Sequence, residues 1–124
     1  GAMLFQALEA AAQLARDGIE AEVINARWIA PFDWPALLAS AGRTGRLLIA
    51  HEANVTGGFG AEIAARVQDE LFGRLHAPVR RLGVADCRIP AAPHLQAALI
   101  PDAGRIAQAA RELVGEQRDR RVQP

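Results

Sequence analysis

Apolar residues recur at helical spacing along residues 4–16 (Leu4, Leu8, Ala11, Ala15), in a stretch rich in Ala, Leu, Gln and Glu. That pattern predicts a helix closed by Gly18. Residues 20–26, with Val23 and Ile24 at their centre, read as a strand. Pro31 then breaks the chain. Asp33 is placed to cap a second helix with Pro35 in its first turn, Leu37 and Leu38 on its buried face, and Gly42 and Gly45 at its close. The continuous apolar run 47–50 suits a strand covered on both faces. Residues 51–58 read as a loop in which Thr56 can cap a third helix starting at Gly57 or Gly58. That helix carries a stripe of Phe59, Ile63 and Val67 flanked by Ala64 and Leu71. Gly73 and Pro78 end this region, and 79–84 is a third strand candidate. Residues 86–101 hold three prolines and read as an irregular crossing with a single helical turn. Asp102 caps a last helix with Ile106, Ala109, Ala110 and Leu113 facing inward.

Helices alternating with short apolar strands predict an α/β fold: a three-layer, open, mostly parallel sheet flanked by helices. Such a domain normally opens with a strand, and this one opens with a helix. The 124 residues suffice for one core. The expected organisation is a domain over 1–115 and a polar basic tail over 116–124, where Arg118, Arg120 and Arg121 cluster. Fourteen basic and fourteen acidic residues balance to zero net charge, so no nucleic-acid footprint is expected. The single cysteine, Cys87, excludes an internal disulfide and cysteine-pair zinc sites, which suits a reducing compartment. No apolar run approaches the roughly 20 residues that span a bilayer, and no signal peptide is visible. The expectation is a bacterial cytoplasmic protein without membrane contact.

Few residues offer chemistry. Gly57, Gly58 and Gly60 lie between a strand and a helix, where phosphate loops occur. The run fails the dinucleotide fingerprint, because Ile63 stands where a third glycine is needed, and the chain contains no lysine for a Walker loop. Close packing of helix on sheet is the favoured reading, with phosphate binding left open. His51 and Glu52 lie at the C-terminal end of a strand, the edge where parallel sheets usually bind ligands. Adjacent strand residues point to opposite faces, so a structural or interface role outweighs paired acid–base work. His76 and His94 are isolated, and no metal set is expected. Arg27 beside Trp28 suits either an interface or a salt bridge. No catalytic, cofactor-binding or metal residue is assigned.

The same residues form a colinear series over about residues 1–114. It runs through Gly18-Ile19-Glu20-Ala21-Glu22-Val23-Ile24, Arg27 to Asp33, Thr44-Gly45-Arg46 and His51-Glu52-Ala53. It continues with Thr56-Gly57-Gly58-Phe59-Gly60-Ala61-Glu62-Ile63, Ala77-Pro78-Val79, Asp86 with Pro90, and Leu99-Ile100-Pro101. The series resembles the transketolase C-terminal domain found in beta subunits of thiamine-diphosphate-dependent 2-oxoacid dehydrogenases. The resemblance implies an assembly domain, inactive alone, whose parent enzyme uses thiamine diphosphate and magnesium held elsewhere. Implied partners are the remainder of the beta part, the alpha part, and the acyltransferase core of the multienzyme complex. The His51-Glu52-Ala53 stretch is most similar to branched-chain enzymes, with a substrate such as 2-oxoisovalerate; pyruvate and acetoin enzymes stay open. Arg27, His51, Glu52, Gly57, Gly58, Gly60, His76 and Asp86 are the expected interface or site-shaping residues. His76 stands where the family often has an acidic residue that helps dock the core. The family also places an aliphatic strand before the first helix, ending in a glycine that matches Gly1. The sheet is therefore expected to lack its first strand, and the chain to self-associate or stay open. Two alternatives remain: an independent nucleotide-binding or small-molecule module using Gly57–Gly60, and a transketolase or deoxyxylulose-phosphate synthase parent.

Overall fold

The computed structural model describes residues 1–122, with side chains as far as Gly115. Its elements are α1 (Ala2–Arg16), α2 (Trp34–Thr44), β1 (Leu48–Asn54), α3 (Phe59–Glu70), β2 (Arg80–Val84), α4 (Pro93–Leu99) and α5 (Ala103–Val122). The side chains expected to form the basic tail over 116–124 lie outside the described residues.

β1 and β2 form a parallel two-stranded sheet. The alternation of β1 divides the core. Leu48 and Ala50, with Leu82 of β2, pack on one face against Ala10 and Leu14 of α1 and Ile106 and Ala107 of α5. Leu47 and Ile49 pack on the other face against Leu37 and Ala41 of α2 and Ile63, Val67 and Leu71 of α3. The result is helix, sheet, helix: the expected layered α/β arrangement, built on a small parallel sheet.

The helix ends follow their local chemistry. Asp33 accepts a hydrogen bond from the Ala36 amide at 3.1 Å, with Pro35 in the first turn, and Gly45 ends α2 at φ +67°. Asp102 accepts from the Arg105 amide at 2.8 Å at the start of α5. In α1 the buried stripe is rotated from the expected one: Ala10 and Leu14 are buried, and Leu8 is half exposed. The contact with α5 decides this. It is tied at one end by the Ala103 amide donating to Gln6 Oε1 (2.8 Å) and at the other by Arg111 to Asp17 (2.8 Å).

Three expectations need correction. Residues 20–26 are not a strand. Among the described residues their only backbone hydrogen bond to another residue runs from the Arg27 amide to Asn25, so no ladder forms. The segment has strand-like composition but no neighbour to pair with. Residues 51–54 are not loop: β1 runs to Asn54, so His51 and Glu52 are strand residues. Thr56 does not cap α3. Gly58 is the N-cap without a side-chain bond, and the Thr56 hydroxyl donates instead to Asp86 Oδ2 at 2.7 Å.

Between β1 and residues 20–26 lies a cavity of about 510 Å³, walled by α1 and α5 on one side and α2 on the other. The segment is held across it chiefly by Glu22, which accepts from Ser40 Oγ (2.7 Å) and pairs with Arg43. The Ser40 hydrogen bond, with help from Arg43, lowers the Glu22 pKa below the usual glutamate value.

Candidate functional site

The C-terminal ends of the two strands carry most of the residues singled out by sequence. The pairing slips there. Leu48, Ile49 and Ala50 face Arg80, Arg81 and Leu82, but Asn54 faces Val84, so β1 holds two extra residues between Ala50 and Asn54. A bulge of this kind redirects side chains, and His51 is its first residue.

The His51 ring is enclosed by three glycines from different elements. A Cβ on Gly58 would lie 2.7 Å from His51 Cε1, and one on Gly60 or Gly83 would lie 2.9 or 3.0 Å from Nε2. Nε2 itself is buried without a hydrogen-bond partner among the described residues. Burial, and secondarily the positive charge of Arg81, lower the His51 pKa below its ordinary 6.5, so the ring is neutral at pH 7. Glu52 points away and is exposed, as expected of strand neighbours.

The glycine run thus serves packing. Gly57 supplies a φ of +72° with open space around it, while Gly58 and Gly60 give room to the imidazole. An anion at the start of α3 would compete with that ring. Among the described residues no three His, Cys, Asp or Glu side chains converge to hold a metal. The strand ends therefore offer no converging carboxylate set, among the described residues, for a diphosphate–magnesium group.

Polar bonds knit the loops above this edge. Asn54 Nδ2 donates to the carbonyls of Ala85 (2.7 Å) and Cys87 (3.0 Å), and Arg81 Nη1 donates to Val55 (2.8 Å). With Thr56–Asp86, these bonds join the loop after β1 to the loop after β2. Sequence reasoning singled out Asp86 but missed Asn54, Arg81 and Gly83. Only the glycine carried a signal, as an isolated glycine within a strand.

Two of the expected residues lie elsewhere. His76 is exposed, its amide donating to the Gly45 carbonyl (2.7 Å) and its ring against the face where a Gly45 Cβ would be. Arg27 is exposed beside Trp28 and Ile29, which are 70% and 58% accessible. Farther along the chain, the Phe32 ring centroid lies 4.5 Å from that of Trp34 and 5.7 Å from that of Phe59; Arg66 stacks over Trp34 at 4.3 Å.

The fold agrees with what comparison finds: residues 1–106 match the family described as transketolase, C-terminal domain. The chain belongs to that family. It is 39% identical over 112 residues to the beta subunit of acetoin:2,6-dichlorophenolindophenol oxidoreductase from Cupriavidus necator, covering 90% of this chain and 33% of that protein. It is 44% identical over 105 residues to the mitochondrial pyruvate dehydrogenase E1 subunit beta of Pisum sativum (85% and 29%). It is 44% identical over 90 residues to the mitochondrial 2-oxoisovalerate dehydrogenase subunit beta 2 of Arabidopsis thaliana (73% and 25%). The chain spans a third or less of the length of these curated relatives.

Proposed function

We propose that this transketolase C-terminal domain is the assembly domain of the beta part of a bacterial, cytoplasmic 2-oxoacid dehydrogenase. In this reading it holds the beta part against the alpha part, and thiamine diphosphate and magnesium are bound by other regions of the enzyme. The substrate is a 2-oxoacid such as 2-oxoisovalerate. Docking of an acyltransferase core proceeds without an acidic residue at position 76, where this chain has His76.

The observation that carries the reading is the exposed Arg27-Trp28-Ile29 loop. A large aromatic, an aliphatic and an arginine exposed together have the composition of an interface hot spot. Relatives named as beta subunits support the same conclusion.

The test is capture of the alpha subunit of a 2-oxoacid dehydrogenase by this chain. Trp28→Ala is expected to weaken capture by roughly tenfold or more while leaving the melting temperature unchanged. Unchanged capture would remove the loop from the interface. A thermal shift with nucleotides in place of capture would overturn the assembly reading.

A further inference from the structure

We propose that His51 is a pH-sensitive latch. On taking up a proton its ring leaves the glycine-lined site, and the start of α3 parts from the ends of the two strands while both apolar clusters stay packed. The proposal goes beyond the assembly reading and does not depend on it.

The site suits an uncharged ring. Gly58, Gly60 and Gly83 close on the imidazole from the start of α3 and from β2, so tightly that a Cβ at any of the three would fall 2.7–3.0 Å from a ring atom. Nε2 is buried and has no hydrogen-bond partner among the described residues. A neutral imidazole has one N–H, whereas an imidazolium has an N–H on both nitrogens. Whichever nitrogen takes the second proton, the cation therefore holds a buried N–H at Nε2 without an acceptor. A buried charge left without a partner is strongly destabilising.

The charged groups on the surrounding elements do not compensate. Burial, and then the like charge of Arg81 on β2, both disfavour the protonated ring. β2 also carries Arg80. On β1, Glu52 is exposed and, as a strand neighbour, points away. α3 carries Glu62, Arg66, Asp69 and Glu70, all exposed, and Arg66 pairs with Glu70 at 3.7 Å. The loop after β2 adds Asp86, Cys87 and Arg88, and Asp86 accepts from Thr56. None of these carboxylates contributes to the shift at His51. An acidic group in contact with the ring would raise its pKa and hold the cation in place.

The position of His51 confines the opening. Regular pairing joins Leu48, Ile49 and Ala50 to Arg80, Arg81 and Leu82, and the bulge begins at His51. Beyond it the strand ends are tied by the Val55 amide donating to the Val84 carbonyl (2.9 Å) and by the side-chain bonds of Asn54, Thr56 and Arg81. Farther along α3, Ile63, Val67 and Leu71 keep that helix on the sheet, so only its first turn, Phe59 included, has to move. A corner of this kind opens at a lower free energy than the whole domain. The sign follows from proton binding. An opened ring regains the ordinary pKa of 6.5, so below that pH the opened state binds more protons than the closed one. Opening grows as pH falls from 6.5 toward the lowered value.

The test is hydrogen exchange on this chain from about pH 7.5 to about pH 5.5, with each rate divided by the intrinsic rate at that pH. The reporters are the amides of Val55, bonded to Val84, and Ala61, bonded to Gly58. The controls are the amides of Leu71, bonded to Val67, and His76, bonded to Gly45. Protection at the reporters is expected to fall roughly tenfold across this range, because about one pH unit below the ordinary value favours the opened state tenfold. The controls should stay level. His51→Gln should hold the reporters level too, while Asp86→Asn, which removes the carboxylate of the neighbouring loop, should leave the fall in place. Equal loss at reporters and controls would make the event global unfolding and overturn the latch. A fall that persists in His51→Gln, or disappears in Asp86→Asn, would assign it to another group and overturn it as well. Level protection in the unsubstituted chain would also overturn it. No dehydrogenase subunit enters this experiment, so its failure is distinct from failure of alpha-subunit capture.

Discussion

At Gly60 the missing Cβ would fall 2.9 Å from His51 Nε2 and 3.2 Å from Ile49 Cγ2. In an open helix a glycine-to-alanine change stabilises by about 1 kcal/mol. Here the overpacking reverses the sign, and Gly60→Ala should cost about 1–3 kcal/mol in chemical denaturation. Combining it with His51→Ala should recover much of that loss. The neutral His51 ring also sets a pH dependence. Its pKa is lowered in the fold, so the unfolded chain binds more protons below the ordinary value of 6.5. Stability is fully present above that pH and falls as pH drops from 6.5 toward the folded pKa. Melting temperature measured from about pH 7.5 down to about pH 5.5 should fall, with a shallower slope in His51→Gln. Little of this was legible in the chain. The value of Gly58 and Gly60 lies in a ring seven to nine positions earlier, and Gly83 joins only when β2 pairs with β1.

Elements with local determinants could be read directly. Asp33 and Asp102 announce helix starts because a cap bonds to a backbone amide three residues on. Asp102→Ala should therefore destabilise the domain by about 1 kcal/mol in denaturant titration. Val67, fully buried on the stripe of α3, was legible from helical spacing. The 20–26 segment was misread for the opposite reason. Strand composition favours pairing but cannot provide a partner, and a strand exists only through its neighbour. Thr56 was misassigned because its hydroxyl has a better acceptor 30 residues away, in Asp86.

For the molecule as a whole, the cavity between β1 and residues 20–26 is lined largely by apolar side chains of α1, α2, β1 and α5. Partial filling should therefore be rewarded: Ala11→Leu is expected to stabilise the isolated chain by about 0.5–2 kcal/mol, read from its denaturation midpoint. The layered architecture was legible from the alternation of elements, while the number of strands was not, because residues 20–26 have strand composition without a partner to pair with.

The hydrogen bond from the Ala103 amide to Gln6 spans 97 positions, and it bears on how the chain is made. Within this domain α1 is synthesised before α5, so its apolar stripe lacks the cover of α5 until that helix has been made. At about 5–20 residues per second, that leaves Ala10 and Leu14 facing solvent for roughly 5–20 s. During this interval the nascent chain presents an incompletely covered amphipathic helix, and a holdase that binds such surfaces should be recovered on ribosomes stalled before the codon for Ala103 and lost once α5 has emerged.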